Sequence, residues 1–223
     1  MAAKLWWMIQ KDLVSELRAR RVWPAMFLFG IVVAAVFSVQ MDLLAEQKPR
    51  IIGSLLWLAV FFAGMMAVDR SLAAEREEGC WEGLLLYPVS AATIYLAKLV
   101  VNFLALAAVQ CVLIPLFAVL SGVSLLLHPW ALLLVAVLGN LAVAAVGTLL
   151  AGLAAGMRHG GGLLVLLVLP LALPVVLAAA EATRLIAEDD LGAAWCRWTE
   201  LLGASAIVFL SAGVVLFDFL AED

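Results

Sequence analysis

LVVNFLALAAVQCVLIPLFAVLSGVSLLLHPWALLLVAVLGNLAVAAVGTLLAGLAAGM, Leu99 to Met157, runs for 59 residues without an Asp, Glu, Lys or Arg. A helix crossing a lipid bilayer needs about 20 apolar residues at roughly 1.5 Å rise each. The run is too long for one such helix. It carries its own punctuation at SGVSLLLHPW, Ser121 to Trp130, where Ser, Gly, His and Pro interrupt the aliphatic residues. The spacing predicts two spans joined by a short hairpin at that point, and so an all-α polytopic membrane protein.

The rest of the chain agrees with that class. Its 223 residues are 67% hydrophobic and 13% charged, with a mean hydropathy of +1.16. Soluble domains carry about 25% charged residues, and one of this size has too little interior to hide so much apolar side chain. The net charge of −4 says little, because only the placement of charge is informative here.

Other uncharged runs mark further spans. Val22 to Met41 is 20 residues long with Pro24 in its first turn, where a missing N–H costs little. Ile51 to Val68 is framed by Arg50 and Asp69, His159 to Ala180 follows Arg158, and Leu201 to Phe217 closes the set. Six spans put both termini on one side. That side holds Lys4, Lys11, Arg18, Arg20, Arg21, Arg70, Arg76, Lys98 and Arg158, against Lys48, Arg50, Arg184 and Arg197 on the other. The positive-inside rule then places both termini in the cytoplasm and the loop Glu181 to Glu200 outside.

Residues 1–21 read differently. Five basic residues, two acids and Trp6-Trp7 precede the first apolar run, which does not fit a cleavable signal. At 100° per residue Lys4, Lys11, Ser15 and Arg18 share one stripe, and Trp6, Ile9, Leu13 and Leu17 lie opposite. The expectation is an amphipathic helix lying in the membrane interface, followed by a six-span domain over residues 22–223.

One dense charge cluster interrupts the apolar chain. In AEREEGCWEGLLLYPVS, Ala74 to Ser90, five of the first nine residues are charged: Glu75, Arg76, Glu77, Glu78 and Glu82. On a helix Glu75, Glu78 and Glu82 fall within about 60° of one another, with Trp81 and Leu84 roughly opposite. Glu78 and Glu82 repel at i,i+4, so the stripe does not help a helix form. It is stable when solvated and favoured when a basic groove receives it. A charge run is most often a solvated loop, but Trp81 and leucines 84 to 86 have no reason to sit in one. Pro88 ends the helical stretch near Tyr87. The expectation is a short amphipathic helix on the cytoplasmic face, within a segment spanning 69–90.

EREEGCWEGLLLYPVS is similar to the cytoplasmic segment of ABC-2-type permeases. Together with the N-terminal helix, AVDRSLAAEREEGCWEGLLLYPVSAATIYLAKLV and GMRHGGGLLVLLVLPLALPVVL make the chain resemble the CcmB family, the haem exporter permeases of cytochrome c maturation, over nearly its whole length. Cys80 sits where related permeases often have a hydroxyl residue. The resemblance implies a non-catalytic membrane subunit in the bacterial inner membrane, driven by a separate ATPase subunit that carries the ATP. Glu75, Arg76, Glu77, Glu78, Gly79, Trp81 and Glu82 would form the surface that couples to it. It further implies a homodimer, a haem-handling membrane subunit, a haem chaperone, haem as cargo of the complex, and no nucleic-acid partner.

The remaining motifs are sparse. Gly147 to Gly152 has Walker-type glycine spacing but continues Gly-Leu, so there is no phosphate cradle. In RHGGG, Arg158 to Gly162, the glycines suit a tight turn; a functional reading adds Arg158, Gly160 and Gly161 as a second cytoplasmic contact. His128 and His159 fall on opposite membrane faces, so they cannot jointly ligate one iron; a lone haem-ligating His128 is the minor reading beside that of polar anchors at helix ends, and no metal or catalytic site is expected in this chain. Cys80, Cys111 and Cys196 show no pairing pattern. Pro170 and Pro174 predict a kink or break in the fifth span. Asp218 stands near the cytoplasmic end of the last span. Asn102 and Gln110, about 80° apart on one helix by the 3.6-residue period, face either a helix interface or a partner subunit. Two other readings stay open from the residues alone: a lipid or drug exporter of the same architecture, and a structural or assembly subunit with no transport cycle.

Overall fold

A computed structural model of the chain describes residues 2–19, 22–42, 47–77, 90–155 and 161–222. Among these residues there is no strand. The helices are α1 (Ala2–Ala19), α2 (Val22–Asp42), α3 (Lys48–Glu77), α4 (Ala91–Ser121), α5 (Pro129–Ala155), α6 (Gly161–Ala187) and α7 (Ala193–Glu222), with a 3₁₀ turn at Leu125–Leu127. Five segments are long and apolar enough to cross a membrane: Lys48–Val68, Ala91–Ser121, Pro129–Leu153, Leu169–Ala187 and Ala193–Phe217. Helix α2 contributes a shorter apolar segment, Pro24–Phe37.

The hairpin at Ser121 to Trp130 forms where the sequence places it. Helix α4 ends because Gly122 adopts the left-handed conformation at φ 69° and returns its N–H to the Ala118 carbonyl at 3.0 Å. The Ser121 hydroxyl donates to the Phe117 carbonyl and accepts from the Val123 N–H. Leu125 is fully buried and pins the 3₁₀ turn to the core. Pro129 occupies the first position of α5, where its missing N–H has no helical partner to lose.

Helix α5 is the hub, packing on α3, α4, α6 and α7. Residues 142–152 are buried without exception, and small side chains make that fit. Gly139 lies against the Trp57 ring of α3, which a Cβ would overlap. The same device brings α3 onto α6, where a Cβ at Gly53 would strike the Ala180 carbonyl oxygen. Without a strong hydrophobic drive between helices in lipid, such close backbone approach supplies the packing energy. Trp57, Leu56, Leu106, Leu113, Ile186 and Leu202 form the centre of the core.

Cross-helix pairs fix the directions. Asn102 meets Thr148 and Gln110 meets Asn140, eight residues on along α4 and eight back along α5. Gly139 and Gly147 of α5 meet Trp57 and Val68 of α3 in ascending order. So α3 and α5 run parallel, with α4 antiparallel to both; α6 opposes α3 through Trp57–Thr183 and Arg50–Glu188.

Three boundaries differ from the sequence expectation. Helix α3 continues past Val68 to Glu77, 30 residues in all, or about 45 Å at the ordinary rise. The outer loop expected over Glu181 to Glu200 is almost wholly helical, with only residues 188–192 outside α6 and α7. The charges that suggested a loop satisfy one another on α6: the Arg184 guanidinium donates to Glu181 at 2.8 Å and to Glu188 at 2.5 Å, one turn either way. Lastly, α6 continues through Pro170 and Pro174 rather than breaking there.

Candidate functional site

The alternating helix directions gather the candidate coupling residues at one end of the bundle. That end holds the C-terminus of α3, the N-terminus of α4, the C-terminus of α5 and the N-terminus of α6. Glu75, Arg76 and Glu77 lie on the last turn of α3, and Gly161 opens α6. Glu78, Gly79, Trp81 and Glu82 lie outside the described residues, as do Arg158 and Gly160. The acidic segment therefore begins as a continuation of a span rather than as a separate helix at Glu75. The α3–α4 and α5–α6 connections, which carry both sets of candidates, leave from and return to the same end.

Helix α1 is seated at this end too, by a contact that sequence reading missed. Ile9 is buried, with Leu5, Met8 and Leu13 partly buried, against Ala97 and Val101 of α4. Beside them Lys98 Nζ lies 3.0 Å from Asp12 Oδ2, with side-chain exposures of only 4% and 7%. Lys11, 58% exposed, stands 3.3 Å from the other carboxylate oxygen. Trp6 and Trp7 are 60% and 73% exposed, so Trp6 does not share the packed face with Ile9 and Leu13 as the projection suggested. The available signal was an acid, Asp12, three residues after Ile9 and next to Leu13.

Polar side chains inside the described spans pair the helices, with Asn102 and Asn140 each engaged through Nδ2 while their Oδ1 atoms are buried without a donor among the described residues. Asn102 Nδ2 donates to Thr148 Oγ1 at 2.9 Å and Asn140 Nδ2 donates to Gln110 Oε1 at 2.6 Å, all four side chains being buried. Asn102 and Gln110 thus face α5 of the same chain, which decides between the two interfaces left open for them. Trp57 Nε1 donates to Thr183 Oγ1 at 2.9 Å, and the Thr183 hydroxyl donates to the Ala179 carbonyl at 2.8 Å. The Tyr95 hydroxyl lies between the carbonyls of Ala145 and Phe209. Such an interior suits packed helices rather than a wide hydrophilic channel.

At the opposite end His128 joins the hairpin to the α6–α7 turn. Its Nε2 lies 2.5 Å from Asp189 Oδ1. Asp189 is the one described non-glycine residue with positive φ, at 60°. A groove of about 540 Å³ opens beside the pair, lined by Leu127, Trp130, Leu134, Leu191 and Trp195 among others. Among the described residues no group of three or more His, Cys, Asp or Glu is placed to hold a metal ion, and Cys111 and Cys196 are free and exposed.

The family model described as "CcmB protein" matches residues 3–220. The chain belongs to the CcmB family. Relatives within it include "Heme exporter protein B" of Rhodobacter capsulatus, 29% identical over 181 residues, which cover 81% of this chain and 83% of that protein. "Heme exporter protein B" of Pseudomonas aeruginosa is 27% identical over 179 residues, 80% of each. The Paracoccus denitrificans protein of the same name is 30% identical over 135 residues, 60% of this chain and 62% of that one. Membership of the CcmB family and the run of long apolar helices together make this a multi-pass membrane protein.

Proposed function

We propose that the chain is the permease subunit of an ABC-type complex in haem delivery, or in haem-chaperone release, for c-type cytochrome maturation. The observation that carries this is the CcmB match across residues 3–220, joined to relatives that are named haem exporter proteins. In this reading a separate ATPase subunit binds ATP and docks on Glu75, Arg76, Glu77, Glu78, Gly79, Trp81 and Glu82, with Arg158, Gly160 and Gly161 as a second contact. ATP-driven movement there passes along α3, whose single helix runs from that end to Lys48. Helix α2 is the first of six spans, α1 lies in the cytoplasmic interface, and both termini are cytoplasmic. Two copies pair in the bacterial inner membrane beside a haem-handling subunit and its chaperone.

The test is complementation with co-purification. In cells lacking their own copy, a tagged version should restore covalent haem in c-type cytochromes. It should also bring down an ATPase together with haem-handling partners. An ATPase alone would favour a lipid or drug exporter, and neither would favour a structural subunit.

A further inference from the structure

Helix α1 is packed on one side only. Leu5, Met8, Ile9 and Leu13 rest on α4, with Asp12 between them. Trp6, Trp7, Gln10, Lys11 and Val14 are exposed on the other side. An exposed patch built on two tryptophans marks a contact with something else. Its level in the bundle says what. Helix α4 has 31 residues, about ten more than a lipid core of roughly 30 Å needs. Residues 112–120 are all apolar, and Lys98 is the only charged residue in the helix. The lipid core therefore reaches to the Ser121 end and, about 20 residues back, stops near Val101. Ala97 and Val101 are the residues that α1 packs on, so α1 lies at the depth of the headgroups.

The charges of α1 are sorted between its two sides. The Asp12 carboxylate stands between two ammonium groups, Lys98 Nζ at 3.0 Å from one oxygen and Lys11 Nζ at 3.3 Å from the other. One negative charge against two positive leaves this trio with an excess of one. Lys98 is buried, whereas Lys11 is 58% exposed, so the accessible part of the trio is its cationic part. Lys4, Lys11 and Arg18 recur every seven residues, two turns apart, and so fall on one stripe of the helix. Glu16, four residues after Asp12, falls on the stripe of the packed side. The outward side thus pairs aromatic rings with basic residues, and it is an anionic surface that complements it.

We propose that the outward side of α1 is a docking surface for anionic phospholipids of the leaflet at the coupling end, with Trp6 and Trp7 seated among the headgroups and Lys11 against a lipid phosphate. The proposal rests on the reading of α1 as an interfacial helix and reverses the side given to lipid. Ile9 and Leu13, the apolar stripe of the projection, belong to α4. The tryptophans belong to the membrane, where an amphipathic ring suits the headgroup layer. An anionic lipid is preferred over a zwitterionic one because the latter answers its phosphate with its own cation, whereas the former leaves it for Lys11. Asp12 joins this surface to Lys98, so the lipid contact is continuous with the packing that holds α1 on α4.

The experiment is fluorescence quenching of the full-length protein in phosphatidylcholine nanodiscs. The quencher is phosphatidylglycerol or phosphatidylcholine carrying a spin label near the ester of its acyl chain. The signal of Trp6 and Trp7 is the difference between wild type and a variant with both Trp6→Phe and Trp7→Phe. That signal should be quenched by both lipids, and by phosphatidylglycerol at several-fold lower concentration. Lys11→Gln should reduce this preference by up to about five-fold, the effect of one base at a charged membrane surface, while quenching by phosphatidylcholine is kept. Lys11→Arg should keep the preference, and raised salt should weaken it in wild type. Equal quenching by the two lipids in wild type, or a preference unchanged in Lys11→Gln, overturns the anionic site and leaves α1 in the interface. Quenching by neither lipid overturns both readings, since protein or water would then cover the tryptophans.

Discussion

Lys98 Nζ at the base of α4 and Asp12 Oδ2 of α1 form an ion pair at 3.0 Å, shut away from solvent. Helix α1 is therefore tied to the first turns of the helix that follows the candidate coupling segment. A buried pair is costly to break from one side, because the remaining charge is left without compensation.

Lys98→Met and Asp12→Leu should each destabilise the protein by about 3–5 kcal/mol. The double variant should cost clearly less than the sum, since no orphan charge remains. Thermal or denaturant unfolding in detergent micelles reads this out, and strict additivity would show that the two residues do not act together.

The rungs between α4 and α5 should be weaker than their burial suggests. Gln110→Leu and Asn140→Leu should show a coupling of only about 0.6 kcal/mol, as hydrogen bonds between membrane helices do on average. A coupling of several kcal/mol would mean that this pair, rather than shape, sets the register.

Close approach should matter more. Gly53→Val drives a side chain into the Ala180 carbonyl oxygen, which as backbone cannot rotate away. It should cost at least about 3 kcal/mol, at the upper end of overpacking, and lower the yield of folded protein. Gly203→Ala on α7, where a Cβ meets nothing within 4 Å, is the control and should be neutral.

The acidic segment is tested by charge reversal. Glu75, Glu78 and Glu82 replaced together by Lys should leave insertion intact and lose the ATPase on purification, because like charges set against a basic cleft cost several kcal/mol. Single reversals should be mild, since an exposed pair contributes about 0.2–1 kcal/mol. Trp81→Ala should weaken docking in a way that depends less on salt. A stoichiometric ATPase retained by the triple variant at physiological salt would make the segment a solvated loop.

Orientation has its own measurement. Cysteines introduced at Glu77 and Glu188, residues at opposite ends of the bundle, should react with an impermeant reagent from opposite sides of the membrane. Glu188 is the one expected to label in intact cells. Labelling of both from outside would overturn the six-span arrangement.

What could be read from the residues follows how local each signal is. The hairpin at Ser121 to Trp130 was legible because Gly122 and Pro129 act on their own backbone. The interior partners of Asn102 and Gln110 were half legible: their helix was plain, but not the helix they face. The α6–α7 boundary is not legible from charge, because Arg184, Glu181 and Glu188 neutralise one another along a helix instead of marking a loop in water. Asp12–Lys98 and His128–Asp189 were not legible, since each joins segments far apart in the chain and leaves no periodic trace. For the acidic segment, residues 75–77 show that α3 carries it outward, and the rest lies outside the described residues.

Helix α5 has a consequence for how the chain is made. It is synthesised before α6 and α7, yet those two cover much of its alanine- and glycine-rich surface. While the ribosome is still finishing the chain, that surface has only lipid or earlier helices to meet. The order of synthesis thus runs against the order of enclosure, and the bundle cannot close until its last helix has been delivered. Chains cut short before Ala193 should reach the membrane with their hub uncovered, and should be cleared by membrane proteases faster than the full-length chain in a pulse-chase.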